Sequence, residues 1–369
     1  MTDKSSILAR PETGGRTSRR AVLRGAGIVA ATAALQMPFI RPARAARSLK
    51  VSTFGGYFEQ CFAKYVYPAF TKASGIDVQS IEQPEGAQFL FQLAEANKAG
   101  APPMDVCCMA AVDVLRGRAQ NLWRSFDPGR IPNFSQLSAR FLTPGPAFDN
   151  VAAMSWFMTF VVNPEELKPL PDSWTVLWDK HPNAWGILSG SSSQIFEITA
   201  KVHFGSIDIL MNPEGIDQVI AKIAELKGNV KLWWQDEGTM QTALINDEVV
   251  GGTYMHDTAM VMIKNGTPVR SIFPKEGAVE STNLWCQPTS SAKIDEAQEF
   301  INFSCTPEAQ QLIARYVGSA PVIDRAKLNL TDQEFAAVSS DRPSIPAATE
   351  ARFKNTDYME RQFIKMVTS

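Results

Sequence analysis

Few residues of this 369-residue chain have the types and spacing that chemistry needs. The three histidines, His181, His203 and His256, are far apart in sequence, and no H-E-x-x-H, C-x-x-C or C-x-x-C-H spacing exists to hold a metal or haem. Gly190-Ser191-Ser192-Ser193 is not the G-x-S-x-G elbow of a serine hydrolase, and no G-x-G-x-x-G follows the N-terminal segment. The expectation is no catalytic residue, no metal and no cofactor. Binding chemistry is better represented. Gly55-Gly56-Tyr57-Phe58 combines glycines that let backbone approach a ligand with rings that stack on it. Trp233-Trp234-Gln235-Asp236 and Tyr254-Met255-His256-Asp257 each put aromatics beside a carboxylate. Two adjacent tryptophans are not expected to share one core, so Trp234 is assigned to a ligand-facing position. Gly190-Ser191-Ser192-Ser193-Gln194 leads into a helical pattern and offers hydroxyl and N–H groups to a carboxylate or phosphonate.

The elements that must position these groups alternate. Residues 49–54, 76–79 and 105–111 read as strands, and 57–74 and 89–99 as helices, which predicts an α/β layer with a mostly parallel sheet. Such sheets gather ligand groups beyond the carboxyl ends of their strands, where Gly55 to Phe58 fall. Val151 to Val162 is an apolar run too short to span a membrane and reads as a buried strand. Ser173 caps a short helix, 216–226 repeats apolar residues at helical spacing, 240–246 is a helix fragment and 249–255 a strand. Thr306-Pro307-Glu308 opens a helix that Gly318 ends.

Charge divides the chain unevenly. Residues 1–45 hold eight Lys/Arg against two acids, leaving 28 against 36 beyond. The absence of a basic surplus argues against nucleic acid as a partner. Ser18-Arg19-Arg20, an uncharged run from Gly25 to Ile40 and Ala43-Arg44-Ala45 make a secretory signal resembling the twin-arginine type, with cleavage near Ala45 and a periplasmic mature protein. The five cysteines show no regular framework and suit buried small side chains, with Cys286–Cys305 the one pair to check for a bridge.

Four segments, in order along 48–330, are similar to those of bacterial extracellular solute-binding proteins. They are Pro68-Ala69-Phe70-Thr71 with Gly75-Ile76-Asp77-Val78; Ser173-Trp174-Thr175-Val176-Leu177-Trp178-Asp179; Gly266-Thr267-Pro268-Val269 with Phe273-Pro274-Lys275-Glu276-Gly277; and Ala297 to Phe303 with Pro307-Glu308. The chain most resembles the spermidine/putrescine-binding branch of ABC importers. That resemblance implies a type II, two-lobed α/β periplasmic binding protein with mixed, mostly parallel sheets and two crossing hinge strands. Lobe one would comprise 48–150 and 270–335, lobe two 151–269, and the tail 336–369 would pack on lobe two. A small solute would be enclosed by lobe closure, and the closed monomer would dock on an inner-membrane ABC permease without turning the solute over.

Beside that resemblance, Trp156 in the crossing segment becomes a cleft wall, and Tyr254 corresponds to a cleft aromatic of the polyamine branch. Asn283 stands where that branch carries an Asp, and Ser191, Ser192 and Gln194 stand in a loop that is acidic there. Burying a cation without an acidic partner is costly. The neutral loop therefore favours a small zwitterionic, amino-acid-like compound, with Glu85, Asp236, Asp257 or Glu280 receiving its amine. Polyamine binding is the alternative; a periplasmic enzyme or a sensory receptor partner are further ones.

Overall fold

The computed structural model describes residues 47–84, 86–142 and 147–369. The export signal expected within 1–45, and Glu85, lie outside the described residues. Ten strands form one mixed sheet: β1 (Ser48–Phe54), β2 (Asp77–Gln83), β3 (Val106–Ala110), β4 (Asn150–Val162), β5 (Trp185–Leu188), β6 (Val230–Trp234), β7 (Gly251–Met255), β8 (Arg270–Ile272), β9 (Ala278–Cys286) and β10 (Ser344–Pro346). Their order is β2-β1-β3-β9-β4-β7-β5-β6, with β10 beside β9 and β8 beside β4. The flanking groups are parallel, β2-β1-β3 on one side and β7-β5-β6 on the other. Both are joined through the antiparallel pair β4–β9, whose register runs from Asn150 opposite Cys286 to Met158 opposite Val279. The α/β class is as expected, and the antiparallel centre is what makes the sheet mixed.

Helices follow the strands on both faces. The first stretch is α1 (Tyr57–Cys61), a π-helical turn over Phe62–Val66, α2 (Tyr67–Ser74), α3 (Gly86–Lys98) and α4 (Ala111–Ala119). The second is α5 (Ile195–Phe204), α6 (Pro213–Ala224), α7 (Glu237–Ile245) and α8 (His256–Lys264), followed by α9 (Ile294–Ser304), α10 (Pro307–Leu312), α11 (Asp332–Ala336) and α12 (Thr349–Thr368). Local chemistry sets their ends. Asn212 accepts from Gly215 N at 2.9 Å to start α6, whose Ile216, Val219, Ile220 and Ile223 then fall on one buried stripe. Thr306 accepts from Ala309 N at 3.2 Å to start α10, with Pro307 in the first turn. Where β7 runs between β5 and β4, Gly252 has φ 154°, and a side chain there would collide with the backbone of Gly186.

Two large apolar clusters result. One joins Leu49, Val51, Phe62, Phe70, Trp285 and Phe300; the other joins Trp174, Trp185, Phe196, Ile223 and Trp234 with Met359, Phe363 and Met366 of α12. Strand β4 feeds both, through Val151 to Met154 in the first and Met158 to Val162 in the second. All five cysteines are buried and unbridged, including Cys286 and Cys305. Burial pushes the thiols of Cys107, Cys108, Cys286 and Cys305 up, which leaves them unreactive.

Candidate functional site

The β4–β9 pair separates two environments, because directly opposed residues of antiparallel strands share a face. Trp156 lies opposite Ser281, and Asn283 opposite both Met154 and Ala110. On the other face Phe157 lies opposite Glu280. That second face is covered by the chain that follows α10: Ala320 bridges to Ser155, and a 380 Å³ concavity is lined by Arg140, Phe157, Phe335, Arg342 and Ser344. Glu280 is fully engaged there. It accepts from Arg140 Nε and Nη2 at 3.0 and 3.1 Å, Ser155 Oγ at 2.9 Å and Ser344 Oγ at 2.7 Å. The expectation that Glu280 receives a ligand amine is corrected accordingly: its lone pairs belong to an internal ion pair. Trp156, half-buried, and Asn283, buried, belong to the opposite face.

Five strand ends run into helix starts: β1 into α1, β3 into α4, β5 into α5, β6 into α7 and β7 into α8. Each start presents unpaired N–H groups and partial positive charge. At α1, Gly56 has φ 72°, a left-handed conformation that suits glycine, and the space a side chain at Gly55 would fill is taken by Glu82. Tyr57 is 72% exposed, free to stack on a ligand. Phe58 instead packs on Phe54 and Phe62, ring centroids 5.9 and 5.2 Å apart, and serves the core.

At the ends of β6 and β7, the tryptophan assignment needs correction. Trp234 is 1% exposed and its ring meets Tyr254 at 5.8 Å, while Trp233 meets Phe363 at 5.4 Å. A strand with helices on both faces has two apolar sides, so adjacent tryptophans both find core. Tyr254 is itself buried, with its hydroxyl donating to Glu237 O at 3.0 Å. Burial pushes the Tyr254 phenol up, and the fields of Glu237, Asp257 and Asp236 push it further, which locates three carboxylates around one hydroxyl. Exposed Asp236 caps α7, accepting from Thr239 N at 2.9 Å and Thr239 Oγ1 at 2.5 Å, and these bonds hold its carboxyl below the usual range.

His256 is structural. It is buried, with Nδ1 2.9 Å from Ser271 Oγ and Nε2 3.1 Å from Ala336 O, and burial lowers it to about 4. Asp257 differs from its neighbours. It is half-buried, it accepts Thr258 N at 2.9 Å, and among the described residues no cation pairs with it. Burial pushes its carboxyl up, the mark of an ionised group short of compensation.

The loop from Gly190 to Gln194 is not the free anion receptor that its sequence predicts. Ser191 N donates to Glu360 Oε2 of α12 at 2.6 Å. Arg352 of α12 donates to the carbonyls of Ser191 and Ser193 and forms a buried pair with Glu197 at 2.6 Å. Ser192 is exposed, whereas Gln194 is buried with an unpartnered Oε1. Glu237 was missed by sequence reasoning although it directly follows Asp236 at a helix start. Glu360 and Arg352 lie more than 150 residues from the loop they touch and had no local signal.

Residues 66–345 match the family model described as bacterial extracellular solute-binding protein. A gamma-aminobutyric acid-binding protein of Pseudomonas aeruginosa is 23% identical over 282 residues, 75% of this chain and 77% of that protein. The spermidine/putrescine-binding periplasmic protein of Escherichia coli K12 is 24% identical over 295 residues, 78% and 82% of the two chains. Among solved structures, a GABA receptor superposes with TM-score 0.72 at 17% identity, covering 87% of this chain and 98% of that one.

Proposed function

The chain belongs to the family of bacterial extracellular solute-binding proteins, the solute-binding components of ABC transporters, and we propose that it captures a small organic solute through that solute's amine. The observation that carries this reading is Asp257, a half-buried carboxylate near Tyr254 that accepts one backbone N–H and, among the described residues, pairs with no cation. An ammonium placed there supplies the missing charge and favours the ionised carboxylate. Tyr57 and Trp156 provide rings for the alkyl part of the solute.

A zwitterionic, amino-acid-like solute is the first reading. Its carboxylate would sit at the start of α4, which has no side-chain cap and follows Ala110, opposite Asn283. The gamma-aminobutyric acid-binding relative supports it. A polyamine is the second reading, supported by the carboxylates around Tyr254 and by the spermidine/putrescine-binding relative. The lobes would be 48–150 with 270–335, and 151–269, with 336–369 on the second; β4 would be one of the two crossing strands. A solute touching both lobes favours the closed state by its differential affinity. The mature protein would act in the periplasm after twin-arginine export, pass its solute to an inner-membrane permease and leave every bond of it intact. A thermal-shift screen across polyamines, amino acids, γ-aminobutyrate, opines and aminophosphonates tests this. At least one amine-bearing compound should raise the melting temperature saturably; a response confined to amine-free anions would refute it.

A further inference from the structure

The α12 helix arranges three residues one turn apart, Arg352, Thr356 and Glu360, along a single stripe. The adjoining stripe on the same side, Met359, Phe363 and Met366, is buried in the second apolar cluster, so the helix is held in a fixed rotation with Glu360 at the edge of the buried face. Thr356 accepts from Arg116 of α4 at 3.4 Å, and Glu360 accepts from Ser191 N at 2.6 Å. The stripe therefore faces the seam between the helix that starts after β3 and the loop that ends β5. Arg352 contributes no free charge there, because Glu197 pairs with it through both carboxylate oxygens at 2.6 to 2.9 Å. Glu360 has no such partner among the described residues. In the same loop the Gln194 side chain, 8% exposed, has an acceptor oxygen without a donor.

From this we infer that Glu360 is a specificity-determining residue of the solute site: it makes the neutral Gly190–Gln194 loop anionic, rejects a ligand carboxylate at that loop and receives a cationic group in its place. The inference rests on the reading that this loop lines the solute cleft. Ser191 N is already committed to one carboxylate, so a second carboxylate approaching it would meet like charge. An ammonium approaching Glu360 meets a carboxylate that no cation pairs with among the described residues.

Two probes of equal chain length isolate the effect, γ-aminobutyrate and putrescine, which differ in having a carboxylate or an ammonium at one end. Titration calorimetry on the full mature chain gives the ratio of their affinities for wild type, Glu360→Gln and Glu360→Asp. Gln keeps an acceptor for Ser191 N, and Asp keeps the charge. Glu360→Gln should move the ratio by about tenfold or more toward γ-aminobutyrate, while Glu360→Asp should stay within a few-fold of wild type. An unchanged ratio in Glu360→Gln, or an equal shift in both variants, would overturn the role of Glu360 while leaving the solute-binding reading intact. Failure of wild type to bind either probe or any other amine would remove that reading and this inference together.

Discussion

On one face of the β4–β9 pair, Glu280 is enclosed by Arg140, Ser155 and Ser344, and elsewhere in the same molecule Glu197 is enclosed by Arg352. At the ends of β6 and β7, Asp257 receives one backbone N–H and, among the described residues, no cation. The first two carboxylates have all the compensation that a buried charge needs, and removing a partner should cost stability. The third is left with an uncompensated charge that a ligand can satisfy. Burial alone does not distinguish these cases; what distinguishes them is whether a cation already occupies the site.

The comparison is sharpest where a partner is removed. Arg352→Ala strands Glu197, a residue with no exposed side-chain surface, and should lower unfolding free energy by about 3–5 kcal/mol in urea denaturation. A loss below 1 kcal/mol would mean that the pair is not enclosed in solution. Next comes acid. His256 stays neutral in the fold down to about 4 but takes a proton near 6.5 when unfolded. The unfolded state therefore binds more protons in that window, and stability should fall by roughly 3 kcal/mol as pH drops from 6.5 to 4. A His256→Gln variant should lose that slope; an unchanged slope would assign it to other groups. Asp257→Asn should weaken amine binding about 10- to 100-fold with stability unchanged, since ionised Asp257 contributes no pairing to the fold. Lower stability with unaltered affinity would move Asp257 into the structural class. The smallest effect belongs to Thr306→Ala, which removes the cap of α10 and should cost about 1 kcal/mol without touching affinity.

What the chain spells out locally was legible. The caps at Ser173 and Thr306, the helix end at Ser74 and the apolar stripe of α6 follow from short-range chemistry that a sequence displays. Strand β4 was legible as a continuous apolar run, because both of its faces are covered. Trp234 was misread because its alternation with Trp233 places them on opposite sides of a sheet that is apolar on both. Glu280 was misread because its partner, Arg140, is 140 residues away, and Glu360 was invisible for the same reason. Side-chain pairings made through sheet register or by a docked terminal helix carry no local pattern.

Calorimetric titration of the protein and its Asp257→Asn variant with γ-aminobutyrate and with putrescine is the most direct test of the account. Saturable wild-type binding of at least one of them, reduced at least tenfold in the variant and with no chemical change in the recovered solute, is the predicted result. Equal affinities in the two proteins, or conversion of the solute, would contradict it.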